Sequence, residues 1–159
     1  MIHREEPSAG VVIGREHHLG VRVYYENTDF TGLVYHGDYV RFFERGRSDF
    51  LRVLGVGHAL LLERPDPAAF VIVRMAIDFR RPARIDDALT VVTTYERLTG
   101  VRLDARQRIF RGDELLCAAE VHAACIDLAG RPRRAPAELA ARLRPVLPPK
   151  DGAAPAEAG

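Results

Sequence analysis

Between residues 36 and 54 the apolar side chains Tyr39, Val40, Phe43, Phe50, Leu51 and Leu54 recur at three-, four- and seven-residue spacing. That is the period of one face of an α-helix, here about five turns long. A shorter apolar segment, 59–62, reads as a further helical turn closed by Pro65 and Pro67, and after it the period changes. In 70–80, Val71, Val73, Met75, Ile77 and Phe79 alternate with Ile72, Arg74, Ala76, Asp78 and Arg80. Residues 89–95 are β-branched, 101–110 set Leu103, Ala105, Gln107 and Ile109 against Arg102, Asp104, Arg106 and Arg108, and 115–127 form a last apolar run. Pro82 with Asp86-Asp87, then Thr99-Gly100, then Gly112-Asp113 supply the breaks. Ahead of the helix, 19–25 reads as a strand with Val21, Val23 and Tyr25 alternating with Arg22 and Tyr24, and a final helical turn is expected at 136–143. One long helix with one apolar stripe is not covered by a flat, short sheet, but it is covered by a sheet that curls around it. The expected class is α+β: a five-stranded antiparallel sheet wrapped around one long central helix.

The 159 residues suffice for one domain with a core that needs no metal or disulfide. Residues 17–147 are expected to form that domain, between a polar leader at 1–16 and a disordered Pro/Ala/Gly tail at 148–159. A formal charge of +1, with 47% hydrophobic residues, argues against a nucleic-acid binder, which would carry a basic excess. Lys150 is the sole lysine, so Schiff-base and P-loop lysine chemistry are excluded. The two serines, Ser8 and Ser48, lie in no nucleophile-elbow pattern. Cys117 and Cys125 are eight apart in an apolar run, the pattern of buried structural thiols in a reducing compartment. The first ten residues are too charged for a signal peptide and no stretch is long and apolar enough to span a bilayer, so a cytoplasmic location is expected.

Polar groups gather where the first strand meets the helix, along Tyr25-Glu26-Asn27-Thr28-Asp29-Phe30-Thr31-Gly32 and on to His36. A helix beginning near His36 offers unpaired backbone N–H groups and the positive end of its dipole to a carbonyl oxygen that becomes an oxyanion. Asp29 on the loop beside it can attack a polarised carbonyl or deprotonate a water. The same positions have plainer uses: Asp29 as an Asx turn or loop cap, His36 as an ordinary helix start, Tyr25 as a strand aromatic, and Glu44 as a member of an i,i+3 charge pair. The scattered histidines have no zinc-ligand spacing.

The runs Val21-Arg22-Val23-Tyr24-Tyr25-Glu26-Asn27-Thr28-Asp29, Gly32-Leu33-Val34-Tyr35-His36 and Phe42-Phe43-Glu44-Arg45-Gly46-Arg47 resemble the hot-dog-fold acyl-CoA thioesterases. Within that family they are most similar to the YbgC type associated with the Tol-Pal envelope system, which is related to 4-hydroxybenzoyl-CoA thioesterase. Arg81 to Leu89, Gln107-Arg108-Ile109 and Arg133-Arg134-Ala135-Pro136 extend the resemblance over about residues 19–145. The resemblance implies a hydrolase acting on short- to medium-chain or aromatic acyl-CoA, without metal or cofactor. It makes Asp29 the nucleophile or general base, His36 the helix-start residue whose N–H polarises the thioester, and Tyr25 an active-site tyrosine. Glu44 falls where the 4-hydroxybenzoyl enzyme has an aspartate facing the substrate from the neighbouring chain, and Arg134 where relatives contact CoA phosphates. The chain departs from the family pattern at Asn27, usually acidic, and at Phe30, usually small.

A homodimer or homotetramer is implied. Two alternatives remain at this point. One is a hydroxyacyl-thioester dehydratase of the same fold, although His36 is followed by Gly37-Asp38 rather than Phe-Pro. The other is a scaffold for acyl carrier protein and envelope-lipid enzymes, docked through Arg102, Arg106 and Arg108. Arg97 and Arg102, flanking the Thr99-Gly100 turn, are further candidates for CoA phosphates.

Overall fold

The computed structural model describes residues 1–3 and 5–149. In chain order its elements are β1 (Val11–Ile13), β2 (Glu16–Arg22), a 3-10 turn (Tyr25–Asn27), α1 (His36–Val53), α2 (His58–Leu62), β3 (Ala69–Phe79), β4 (Ala88–Thr99), β5 (Arg102–Arg111), β6 (Glu114–Ile126), α3 (Ala137–Leu143) and a closing 3-10 turn (Arg144–Val146). The strands form one antiparallel sheet in the order β1-β2-β4-β5-β6-β3. This is the α+β hot-dog fold, with α1 held against the sheet.

The sheet has six strands where five were expected. Val11, Val12 and Ile13 are short but β-branched, and Gly14 at φ +61° turns them back on β2 so that Val11 faces His18. Part of the segment read as a polar leader is therefore sheet. The expected tail lies outside the described residues from Lys150 onward. Among the described residues no helix is long and apolar enough to cross a membrane.

The first strand also ends earlier than its alternation suggests. His17, Leu19 and Val21 face the core from β2, but the sheet pairing stops at Arg22. Tyr25 is in the 3-10 turn and 83% exposed rather than strand-bound. On α1 the buried face is Tyr39, Phe42, Phe43, Gly46, Arg47, Phe50 and Leu51, while Val40 points out. Phe42 and Gly46 complete the i, i+3, i+4 ladder that Val40 leaves.

Helix and sheet meet closely at Gly46, where a Cβ would lie 2.8 Å from both Thr93 Oγ1 and Val91 Cγ1. Around that contact lies a buried polar knot. Gln107 Nε2 donates to Phe43 O (2.8 Å) and Thr93 Oγ1 (2.9 Å), its Oε1 accepts from Arg47 Nη1 (2.8 Å), and Tyr95 OH donates to Arg47 O (3.2 Å). Each buried donor thereby finds an acceptor, without which burial of these groups would be costly. His17, Phe50 and Tyr95 stack in series at centroid distances of 4.9 Å. Cys117 and Cys125 are buried and free, and burial pushes the Cys117 thiol up to about 12, leaving it neutral and unreactive.

Candidate active site

After β2 the chain leaves the sheet beside the β3–β4 connection, with Val23 N donating to Asp87 O (3.0 Å) and Asp86 N to Val23 O (2.9 Å). Asn27, 5% exposed, closes the 3-10 turn: its Oδ1 accepts from Tyr24 N (2.8 Å), and its own N donates to Tyr24 O (3.0 Å). Thr28 and Val34 then pair antiparallel, Asp29 N donates to Leu33 O (3.0 Å), and the tip 29–32 is closed by Gly32 N donating to Asp29 O (3.0 Å). Gly32 takes φ +79° there, a conformation that favours glycine.

Asp29 stands at this tip. Its Oδ1 accepts from Thr31 N (2.8 Å) and Thr31 Oγ1 (2.5 Å), while Oδ2 has no protein donor among the described residues. The two Thr31 bonds, helped by the nearby His36, hold the carboxyl below its ordinary value. Asp29 is thus both the Asx turn that its loop position suggested and a fixed, ionised carboxylate with one oxygen open.

The loop returns to α1 through Tyr35, whose N donates to Asn27 O (2.8 Å). No side chain caps the helix, and the first turn closes only with Asp38 N to Tyr35 O (2.9 Å). The His36 and Gly37 amides have no carbonyl acceptor among the described residues, so they are available to a ligand oxygen. The His36 ring tilts against Tyr35 at 4.4 Å between centroids. Gly37 gives that arrangement room, since a Cβ there would lie 2.7 Å from Tyr35 Cε1. The stretch that carries the loop also exposes four aromatic side chains, Tyr24, Tyr25, Phe30 and Tyr35.

The structure brings Asp29 and His36 to one loop-helix junction, with the exposed Tyr25 in the 3-10 turn that opens the loop. Glu44 is eight residues beyond His36, about 12 Å along α1. It takes Arg47 Nη2 (2.6 Å) and Ser48 Oγ (2.5 Å), the charge pair its spacing suggested, and lines a cavity of about 80 Å³ with Arg47, Leu51, Phe70, Ile72 and Tyr95. Arg134 is exposed beyond β6, next to the β4–β5 turn, where Ala135 N donates to Gly100 O (3.3 Å). Its neighbour Arg133 is used structurally, binding Asp66 and Pro67. Arg97 is held by Asp104 (2.7 Å), and Arg108 is paired with Glu16. Arg106 faces Glu120 across the β5–β6 register, so the arginine stripe is interleaved with acids.

Sequence reasoning noted Asn27 only as a departure from the family pattern that removes a neighbouring negative charge, and gave Thr31 no part in this site. The Asp-x-Thr spacing carried a usable signal for Thr31, because an Asx turn bonds two residues on. Asn27 carried none, since its burial depends on Tyr35 arriving from the far side of the loop.

A carboxylate with one free oxygen near uncapped helix amides, on a hot-dog scaffold, is an arrangement that can serve acyl transfer. Residues 31–118 match the thioesterase superfamily. The chain is 42% identical over 131 residues to an acyl-CoA thioesterase YbgC of Haemophilus influenzae, covering 82% of this chain and 87% of that protein. It is 41% identical over 127 residues to an acyl-CoA thioester hydrolase YbgC of Escherichia coli, covering 78% and 92%. A crystal structure of a probable thioesterase from Bartonella henselae superposes with a TM-score of 0.74 at 45% identity, covering 76% of this chain and 99% of that one. The chain belongs to the thioesterase superfamily, as a YbgC homologue and a thioester hydrolase.

Proposed function

We propose that this enzyme hydrolyses short- to medium-chain or aromatic acyl-CoA to the free acid and CoA, with Asp29 as the catalytic carboxylate. The observation that carries the reading is the tethered Asp29, one oxygen held by Thr31 and the other open, beside the uncapped start of α1. The first-turn amides at His36 take the thioester oxygen and stabilise it as negative charge develops. Asp29 Oδ2 then acts in one of two ways. It adds to the carbonyl carbon, expelling CoA thiolate and leaving a mixed anhydride that water cleaves. Otherwise it takes a proton from a water whose oxygen adds to that carbon, and the proton passes to the departing thiolate. A thiol leaves readily near neutral pH, so neither route needs a strong acid. A single turnover in heavy-oxygen water tests the first route, because water that cleaves the anhydride at the Asp29 carboxyl carbon leaves its oxygen in Asp29 and none in the acid, whereas the general-base route places the label in the acid alone.

The exposed Tyr25 ring borders the acyl group, and Arg134 grips a CoA phosphate. The molecule works as a homo-oligomer. Strand β3 is an unpaired sheet edge carrying exposed Val71, Ile72 and Val73, and Ile72 also lines the Glu44 cavity. A second copy on that edge closes the cavity around the acyl chain, and Glu44 serves the neighbour's site.

Asp29→Asn is expected to keep the fold and lower kcat by about 10²-fold or more in a thiol-release assay over aliphatic and aromatic acyl-CoAs. Near-normal turnover of every thioester by this variant sinks the assignment.

A further inference from the structure

We propose that Asn27 is the positioning residue of this site, fixing the Asp29 loop against the first turn of α1, and that it does so as a neutral group. The inference rests on the reading of Asp29 as the catalytic carboxylate and adds what holds it in place. Asn27 is buried, and three of its atoms tie together parts of the chain that the site must keep in register. Its Oδ1 and N both bond Tyr24, where the chain leaves β2, and its carbonyl takes the amide of Tyr35, which caps α1. Everything between those two points is the loop bearing Asp29, so the Asn27–Tyr35 bond (2.8 Å) is the base of the loop and the Thr31 contacts are its tip. The loop touches the rest of the protein through backbone as well, Val34 N donating to Ala83 O (2.9 Å) and Leu33 bridging Arg84. Those contacts hold its second arm. The first arm is held by Thr28 N and Oγ1 donating to Tyr25 O (3.0 and 2.8 Å) and by Asp29 N on Leu33 O, and its attachment to Tyr24 N is made by the Asn27 side chain, the one contact of this arm that a change of that side chain removes.

The side-chain type matters because the bond to Tyr24 N needs only an acceptor, which a carboxylate also provides. Asparagine supplies it without placing a buried charge two residues from Asp29. Charged groups around the loop are Glu26 in the 3-10 turn, His36 and the Asp38–Arg41 pair at the start of α1, Arg84 across the Leu33 bridge, and Asp86 with the Asp87–Arg111 pair on the segment against Val23. A further negative charge at position 27 would oppose ionisation of Asp29.

The test compares Asn27→Ala, Asn27→Asp and Asp29→Asn in steady-state hydrolysis of one acyl-CoA across pH, with thermal unfolding to confirm folding. Asn27→Ala is expected to lower kcat about 10-fold or more while KM stays within about 3-fold, because binding surfaces remain and the reacting geometry loosens. Asn27→Asp is expected to recover kcat to within about 3-fold at alkaline pH, with the acidic limb of kcat/KM moved to higher pH. Wild-type kcat in Asn27→Ala, or an unmoved acidic limb in Asn27→Asp, overturns the proposal. The limb also decides the matter alone if Asn27→Ala does not fold. An active Asp29→Asn would instead overturn the catalytic reading, whereas an inactive Asp29→Asn beside a normal Asn27→Ala removes only the role of Asn27.

Discussion

His17 shows how much a single side chain in this chain is set by its surroundings. In sequence, His17-His18 is a polar pair before the first strand. In the fold, His17 is fully buried, stacked on Phe50, and its Nε2 bonds Asp49 Oδ2 (2.8 Å), which also accepts the amide of Gly10 (2.7 Å). A Cβ on Gly10 would lie 2.4 Å from His17 Nε2, so the chain ahead of β1 is drawn tight onto the ring. The other ring nitrogen, Nδ1, is buried without a partner among the described residues. Burial lowers the His17 pKa, outweighing the pull of Asp49, with His18 and Arg52 adding to the fall. A histidine whose folded value lies below its unfolded one binds fewer protons when folded. Its stabilisation is therefore complete above the unfolded value, about 6.5, and drains away as pH falls below it. The melting temperature is expected to drop between pH 7.5 and 5.5, and His17→Phe, which keeps a ring on Phe50, is expected to flatten that slope. An equal slope in the variant would rule out His17 as its source.

At the scale of elements, the helix-sheet contact turns on Gly46. Glycine in mid-helix costs about 1 kcal/mol relative to alanine, so its presence in α1 calls for a compensating gain. The gain is closeness: the added Cβ would press on Thr93, Val91 and, at 3.2 Å, on Gln107 Nε2. Gly46→Ala recovers the helix propensity, about 1 kcal/mol, but strains contacts that commonly cost about 1–3 kcal/mol. The expected net result is destabilisation, read as a lower urea midpoint at unchanged m-value. A higher midpoint would show that the sheet gives way freely. The periodicity located α1 well because its apolar stripe is local. It misassigned Val40 and omitted Phe42 because the width of the buried face is set by how far the sheet curls. The end of β2 was illegible for a similar reason: Tyr25 continues the alternation, but Asn27 captures Tyr24 N and turns the chain away.

For the whole molecule, the unfinished part is the β3 edge. The strand is exposed on both faces along Val71, Ile72 and Val73, and an apolar edge of that kind is a template on which another strand can pair, as the proposed homo-oligomer requires. Val73 lies at the register shift between Ile72 and Arg74, where β6 does not pair with it. Val73→Lys places a charge on this edge without touching the Asp29 loop. Sedimentation is expected to show a weakened oligomer, with turnover falling as the oligomer dissociates. A monomeric parent enzyme with full activity would refute both the assembly and the service of Glu44 to a neighbour.

The order of elements, the long helix, the exclusion of lysine and serine chemistry, and a carboxylate placed before a helix start all follow from local pattern and composition. Each depends on residues a few positions apart, which the linear chain records directly. The sixth strand, the burial of Asn27 and His17, and the course of the Asp29 loop depend on partners that the fold brings in from elsewhere in the chain. Val11 pairs with His18 across a turn, Val23 with the 86–87 segment, Asn27 with Tyr35, Val34 with Ala83, and Asp49 with both Gly10 and His17. Hydrogen bonds of this kind are satisfied only when the sheet has closed on the helix, and until then no pattern in the chain distinguishes the asparagine that is buried from one left in water.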